Sequence, residues 1–317
     1  MVNEESSVSR KRFYKKASYL AIFGAFVLAA PLVLRNFYYL ELLFLCHYYV
    51  ILACSWDFLS GYTKNVNFGH AFFIGGAGFA GALLNLHLGW GPWVTLPIGG
   101  LVAGFFGLLV GSFTLRLRGP YFAAVTFSFA TLLYKWCMVF WQISGGEEGL
   151  SGLDGLTGTT LGDYYFSALL MLSFVSILYL MSKSSFGLIL KSIGENEIVA
   201  ESSGINTTFY KIAACTISGA MAGVAGVMYA HVQMHVGPEM AHDSLSALVL
   251  IMAVVGGMGT IIGPLIGAYS LTIANEALRF LGEFRLLIYS GAVLLVVLFA
   301  PKGLFDIITR SIRGVKG

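Results

Sequence analysis

Few residues in this chain have side chains suited to chemistry, and most are scattered. The densest group is His231 and His235 in "HVQMH", followed by Glu239, His242 and Asp243. On a helix, His231 and His235 would share one face, as metal ligands do. No cysteine completes a set beyond Glu239 and Asp243. The reading is therefore of histidines at a membrane boundary, with no metal expected. Asp57 and Lys64 flank a predicted turn and are expected to pair, with His70 as the second choice for Asp57. Glu276 and Arg279, three apart, are expected to pair locally. The four cysteines lie in apolar runs without C-x-x-C spacing and read as small buried side chains. No G-x-x-x-x-G-K-[ST] occurs, so the chain is not expected to hydrolyse ATP or to hold a cofactor. A membrane enzyme would need His, Asp or Cys gathered on facing spans, and only single residues are found.

The elements that carry these residues follow from composition. Of 317 residues, 57% are hydrophobic and 11% charged, against about 25% charged in soluble domains. That much apolar surface exceeds what one core absorbs, so the excess must face lipid. No basic run interleaved with aromatics suggests nucleic acid. Apolar runs fall at 17–34, 39–60, 67–88, 92–115, 120–141, 164–182, 210–232, 245–257, 261–278 and 284–300. They predict an all-α polytopic membrane protein with about eight to ten crossings, since one crossing takes roughly 20 residues. Residues 17–306 read as one transmembrane domain, with tails at 1–16 and 307–317. Arg10, Lys11, Arg12, Lys15 and Lys16 precede the first run and place that end inside the cell. Alternation then puts Arg116, Arg118, Lys183, Lys191 and Lys302 inside as well. The loop 142–163 falls outside, with Glu147, Glu148, Asp154 and Asp163 and no Lys or Arg.

Two stretches depart from a plain lipid span. One is "GYTKNVNFGHAFFIGGAGFAGALL", Gly61 to Leu84; the other is "GGMGTIIGPLIGA", Gly256 to Ala268. Paired glycine-interrupted segments in the two halves of a chain point to a transport pathway, because unpaired backbone is tolerated only under protein or water. Asp57, Asn67, Gly69, His70, Gly256, Gly257 and Gly259 are the candidate pathway residues. The break at Gly256, Gly257 and Gly259 is expected near Gly69. Close packing through small residues is the other reading of the same glycines.

The segment 183–209 is the longest inner connection. A short helix is expected around Glu195–Ser203, with Gly204 as its stop and Asn206 and Thr207 beginning the next element. It would suit docking of a soluble motor.

Several stretches together resemble the LivM type of branched-chain amino acid ABC permeases, in the LivH/LivM family. They are "WDFLSGYTKNVNFGHAFFIGGAG", "LRLRGPYFAAVTFSFA", "GGEEGLSGLDGL", "LKSIGENEIVAESSGINTTFYK", "VVGGMGTIIGPLIGA" and "LFAPKGLFD", in order over about residues 40–306. The resemblance implies an importer subunit in the cell membrane, with both termini cytoplasmic. It would work with a LivH-like second permease, an extracytoplasmic solute-binding protein and two ATPases that hold ATP and Mg. The coupling helix would lie within 194–205, with Gly194, Glu195, Glu197, Ala200, Glu201, Gly204 and Ile205 at the ATPase contact. Glu195, Glu197 and Glu201 would meet basic residues at the rim of its groove. Asp57, Lys64 and Asn65 depart from the family's usual Asn, small residue and Gln. The family also imports urea, short amides and aromatic acids.

Overall fold

The computed structural model describes residues 23–32, 34, 36–114, 119–282, 284–299 and 303–306. The expected tails, 1–16 and 307–317, lie outside these residues. The chain is helical almost throughout. In order come α1 (Phe23–Leu32), α2 (Phe37–Trp56), α3 (His70–Leu88), α4 (Pro92–Thr114), α5 (Pro120–Val139) and the single turn α6 (Trp141–Ser144). Then follow α7 (Thr160–Lys183), α8 (Ser185–Glu195), α9 (Glu197–Ser202), α10 (Thr207–Gln233), α11 (Asp243–Gly256), α12 (Ile262–Ala277) and α13 (Phe284–Phe299). The only sheet among the described residues is a two-residue antiparallel bridge. In it β1 (Leu150–Ser151) pairs with β2 (His235–Val236).

Among the described residues six helices are long and apolar enough to cross a bilayer: α2 with the turn that continues it to Gly61, α3, α4, α5, α7 and α10. The molecule is thus a multi-pass helical membrane protein. The remaining expected spans are also helices, but shorter over their described residues. α11 has 14 residues and α12 and α13 have 16 each. At 1.5 Å per residue these reach roughly 21–24 Å, short of a hydrocarbon core of about 30 Å.

Side-chain links sort the loops onto two ends. At one end Asn85 Nδ2 donates to Asp154 at 2.7 Å, and His231 Nδ1 donates to the Asp154 carbonyl at 2.8 Å. The β1–β2 bridge lies there too. At the other end Gly194 packs on the Tyr62 carbonyl, and Lys191 stands over the Tyr62 ring at 4.9 Å. These are the two ends that charge alternation separates. Below they are called the Asp154 end and the Lys64 end.

The centre of the bundle is the crossing of α10 with α4, and small residues make it close. Ala103 of α4 lies against Gly219 and Gly223 of α10, and a Cβ on Gly223 would overlap both Ala103 and the Gly99 carbonyl. Lipid tails are as apolar as Leu, so such contacts hold helices by close packing and not by hydrophobic exclusion. Gly223→Leu is expected to destabilise the protein by about 1–3 kcal/mol, as overpacking does. The check is a lower unfolding temperature in detergent, with Gly223→Ala intermediate.

Candidate functional site

The glycine-rich segment at 256–261 is broken, as its sequence predicts. α11 ends at Gly256, and the chain turns through Gly257 (φ 115°), Gly259 (φ 75°) and Ile261 (φ 50°) before α12. Such conformations suit glycine, and a β-branched residue adopts them only when held. What holds the turn is Asp57. It is fully buried, and its Oδ1 accepts from Gly259 N at 2.7 Å and its Oδ2 from Ile261 N at 3.4 Å. Cys54 Sγ donates to the Ile261 carbonyl at 3.3 Å. Asp57 opens a π-helical turn, Asp57–Gly61, that widens the end of α2. Gly61 has no Cβ, and one there would overlap the Asp57 carboxylate and Gly259 N.

This corrects two expectations. Asp57 pairs with backbone amides, not with Lys64 or His70. Lys64 sits exposed on the following turn at φ 56°. The break also faces Gly61, not Gly69. Gly69 instead packs on the Thr126 carbonyl of α5.

Asn67, Gly69 and His70 form a separate buried group. Asn67 Oδ1 accepts from Gly69 N at 2.7 Å, Trp56 Nε1 donates to the Asn67 carbonyl at 2.7 Å, and His70 Nε2 meets Ser55 Oγ at 3.1 Å. These groups satisfy the irregular backbone before α3. From His70 on, α3 is continuous, so its glycines serve close packing.

What they pack against is a second break, which the sequence reading missed. After β2 the chain enters a 3-10 turn, Pro238–Ala241. Ala241 lies on Gly75 and Met240 on Gly78. Gly75 and Gly78 are five and eight residues into α3, roughly 8–12 Å along a helix of roughly 28 Å. The non-helical segment therefore reaches the interior of the bundle's depth. Glu239 is exposed there, and the His242 and Asp243 side chains are 43% and 36% exposed. His242 caps α11 by accepting from Ser244 N, and its ring meets Tyr134 of α5 edge-on at 4.9 Å. The sequence signal was "GPE" at 237–239 ahead of an apolar run too short to span.

Below this polar group, α11 presents Leu250 and Val254, and Met258 continues their stripe into the turn. With Trp56, Lys64, Phe68 and Pro120 they line a mostly apolar cleft of about 470 Å³ at the Lys64 end. Of the histidines, His231 is taken up by Asp154 and by Thr95, whose Oγ1 lies 2.7 Å from Nε2, and His235 lies beyond α10 in β2. Among the described residues no three His, Cys, Asp or Glu side chains gather as metal ligands do. Glu276 and Arg279 pair at 3.0 Å, as expected.

In the cytoplasmic-loop candidate, α9 runs Glu197–Ser202 with Asn196 as its cap, and Gly204 (φ 83°) stops it. Asn206 caps α10 by accepting from Phe209 N at 3.1 Å. Ala200 is buried, while Glu195, Ile198 and Val199 are exposed. Glu197, half-buried, and Glu201, exposed, each also have a partner within this chain. Glu197 meets Lys211 Nζ at 2.5 Å, and Glu201 accepts from Thr207 Oγ1 at 2.8 Å. They are one turn apart, so both lie on the side of α9 that faces α10.

A bundle of apolar helices whose backbone is broken at depth beside polar side chains is the build of a solute permease. The sequence profile described as "Branched-chain amino acid transport system / permease component" matches residues 38–300, and the chain belongs to that family. The chain is 29% identical over 294 residues to the high-affinity branched-chain amino acid transport system permease protein LivM of Salmonella typhimurium, covering 84% of this chain and 69% of that one. It is 28% identical over 337 residues to LivM of Escherichia coli, covering 97% and 78%. It is 31% identical over 232 residues to the autoinducer 2 import system permease protein LsrC of Salmonella paratyphi B, covering 68% and 64%. No solved structure matches.

Removing the Asp57 carboxylate strands the amides of Gly259 and Ile261. Asp57→Ala is expected to destabilise the protein by about 1.5–3 kcal/mol, the worth of a charge-assisted hydrogen bond. Asp57→Asn should cost less, since Oδ1 still accepts from Gly259. Unfolding temperatures, and amide exchange confined to 257–261, read the difference.

Proposed function

We propose that this chain is a transmembrane subunit of an ATP-driven importer for branched-chain amino acids. It forms the solute path with a second, LivH-like permease and receives solute from an extracytoplasmic binding protein. Two cytoplasmic ATPases drive it. The Lys64 end faces the cytoplasm, as the positive-inside reading of Lys183 and Lys191 requires. The family and the two LivM relatives support the class of solute.

The observation that carries the pathway is the stripe along α11. At its head Glu239 stands in the 3-10 turn, His242 caps α11 and Asp243 opens it. Further down are Leu250, Val254 and Met258 on the apolar cleft. A branched-chain amino acid has the same division: charged ammonium and carboxylate at one end, aliphatic branch at the other. Polar groups at depth meet the zwitterion, and the apolar wall gives the side chain a path with no strong binding step. Intramembrane ionisable groups of this kind mark solute routes by default. The path from Gly257 and Gly259 is the cytoplasmic exit in this reading, beside Asp57.

Ile198 and Val199 on α9 are the ATPase anchor. Their exposed aliphatic groups suit a helix-in-groove contact, with Glu195 at its rim.

The test is uptake by the reconstituted complex in proteoliposomes. Leu250→Trp fills the cleft and is expected to lower leucine uptake by at least about tenfold, as misplacement in a binding path does, while the subunits still co-purify. Asp243→Asn is expected to raise the leucine concentration giving half-maximal uptake. Competition by urea, short amides, aromatic acids and autoinducer 2 separates the substrates known for the family. Normal uptake by Leu250→Trp removes α11 from the path.

A further inference from the structure

Lys211 is the one lysine among the described residues that the fold buries, at 1% exposure, and it lies in the first turns of α10. A buried ammonium needs an opposite charge, and Glu197 of α9 supplies it at 2.5 Å. A second link lies beside the first. The Thr207 hydroxyl donates to Glu201 Oε1 at 2.8 Å, with Glu197 Oε1 at 3.4 Å. Glu197 and Glu201 are one helical turn apart on α9, and Thr207 and Lys211 one turn apart on α10. Two links at this spacing stop α9 from pivoting against α10.

The backbone between the two helices would otherwise allow that pivot. Gly204 has φ 83°, and only a short turn, closed by Ile205 N on the Ala200 carbonyl at 3.2 Å, separates Ser202 from Thr207. The opposite side of α9 carries Ile198 and Val199, 61% and 59% exposed. A force applied there acts on a six-residue helix whose own connection to α10 turns on a glycine.

We propose that Lys211–Glu197 and Thr207–Glu201 form a strut that makes α9 and α10 one rigid body. Displacement of Ile198 and Val199 by a docked ATPase then moves α10 and is not absorbed at Gly204. α10 in turn crosses α4 at Gly219 and Gly223 and carries in its last turn His231, which holds Asp154 at the far end. The strut thus connects the motor contact to both ends of the bundle. This inference rests on the reading of α9 as the ATPase contact. Lys211 is a positioning residue: it touches neither solute nor motor.

The test uses the complete transporter in proteoliposomes and reads leucine uptake per ATP hydrolysed, together with co-purification of the ATPases. Lys211→Met keeps an unbranched side chain one atom shorter and removes the charge. It is expected to leave the complex assembled and hydrolysing ATP. Uptake per ATP should fall by at least about fivefold, the low end of coupling between linked sites. The exchanged pair Glu197→Lys with Lys211→Glu, and separately Lys211→Arg, should restore at least about half of it. A merely structural role would lower the yield of folded complex in all of these without a selective loss of uptake per ATP. If Lys211→Met does not fold, Thr207→Val, which removes the other link, carries the same expectation. Unchanged uptake per ATP in the folded Lys211→Met or Thr207→Val complex overturns the strut. Failure of the underlying reading looks different: Ile198→Asp would then leave ATPase co-purification intact.

Discussion

The carboxylate of Asp57 is the contact on which the helices at the Lys64 end depend. Three residues of the 257–261 turn have positive φ; the Gly257 amide still closes onto the Ala253 carbonyl of α11, whereas those of Gly259 and Ile261 point away from any helical ladder and need another acceptor. Asp57 accepts from two of these amides at once, and the thiol of Cys54 reaches the Ile261 carbonyl. With the turn held, α11 and α12 can double back against each other and against α2. α12 is fixed a second time near its far end, where the Tyr38 hydroxyl of α2 donates to Glu276. The stripe of α11 that borders the cleft is therefore positioned by a residue that never lines it.

Close packing does the rest. Wherever a span must approach another backbone, the sequence places glycine or alanine: Gly75 under Ala241, Gly223 beside Ala103, Gly194 on Tyr62. Each contact is small, but each fixes a distance that a larger side chain would change. The extended segment before α11 reaches the interior because α3 offers a backbone groove there. Glu239 of that segment stays exposed among the described residues.

Much of this was legible in the sequence. Apolar runs gave the helices, and basic residues sorted the loops onto the two ends that the side-chain links separate. Gly204 and Asn206 marked a stop and a start, because a left-handed stop favours glycine and a cap needs a short acceptor side chain. Glycine density flagged the break at 256–259. The choice between broken backbone and close packing was not legible, since glycine serves both. One stretch turned out to be broken and the other packed. Nor was the partner of Asp57. Sequence proximity favoured Lys64, whereas the acceptor was needed by amides some 200 positions away. The links of Glu197 to Lys211 and of Glu201 to Thr207 were not legible, because Lys211 and Thr207 looked like ordinary residues at the start of a span. The dip at Pro238 was hidden by its brevity, as a single 3-10 turn leaves no periodicity to detect.

The π-helical turn at Asp57–Gly61 also acts as a change of phase. An α-helix advances about 100° per residue, so one residue of surplus rotates everything beyond it by that angle relative to an unbroken helix. The residues before Asp57 and those after it are thus registered to different neighbours. Upstream, the Trp56 indole reaches the Asn67 carbonyl; downstream, Gly61 lies beneath Gly259. Substitutions in this stretch act on the contacts of one residue, such as the two amides held by Asp57. A deletion of one residue would instead restore the regular winding and misdirect a whole set of side chains, so length is constrained here as well as chemistry.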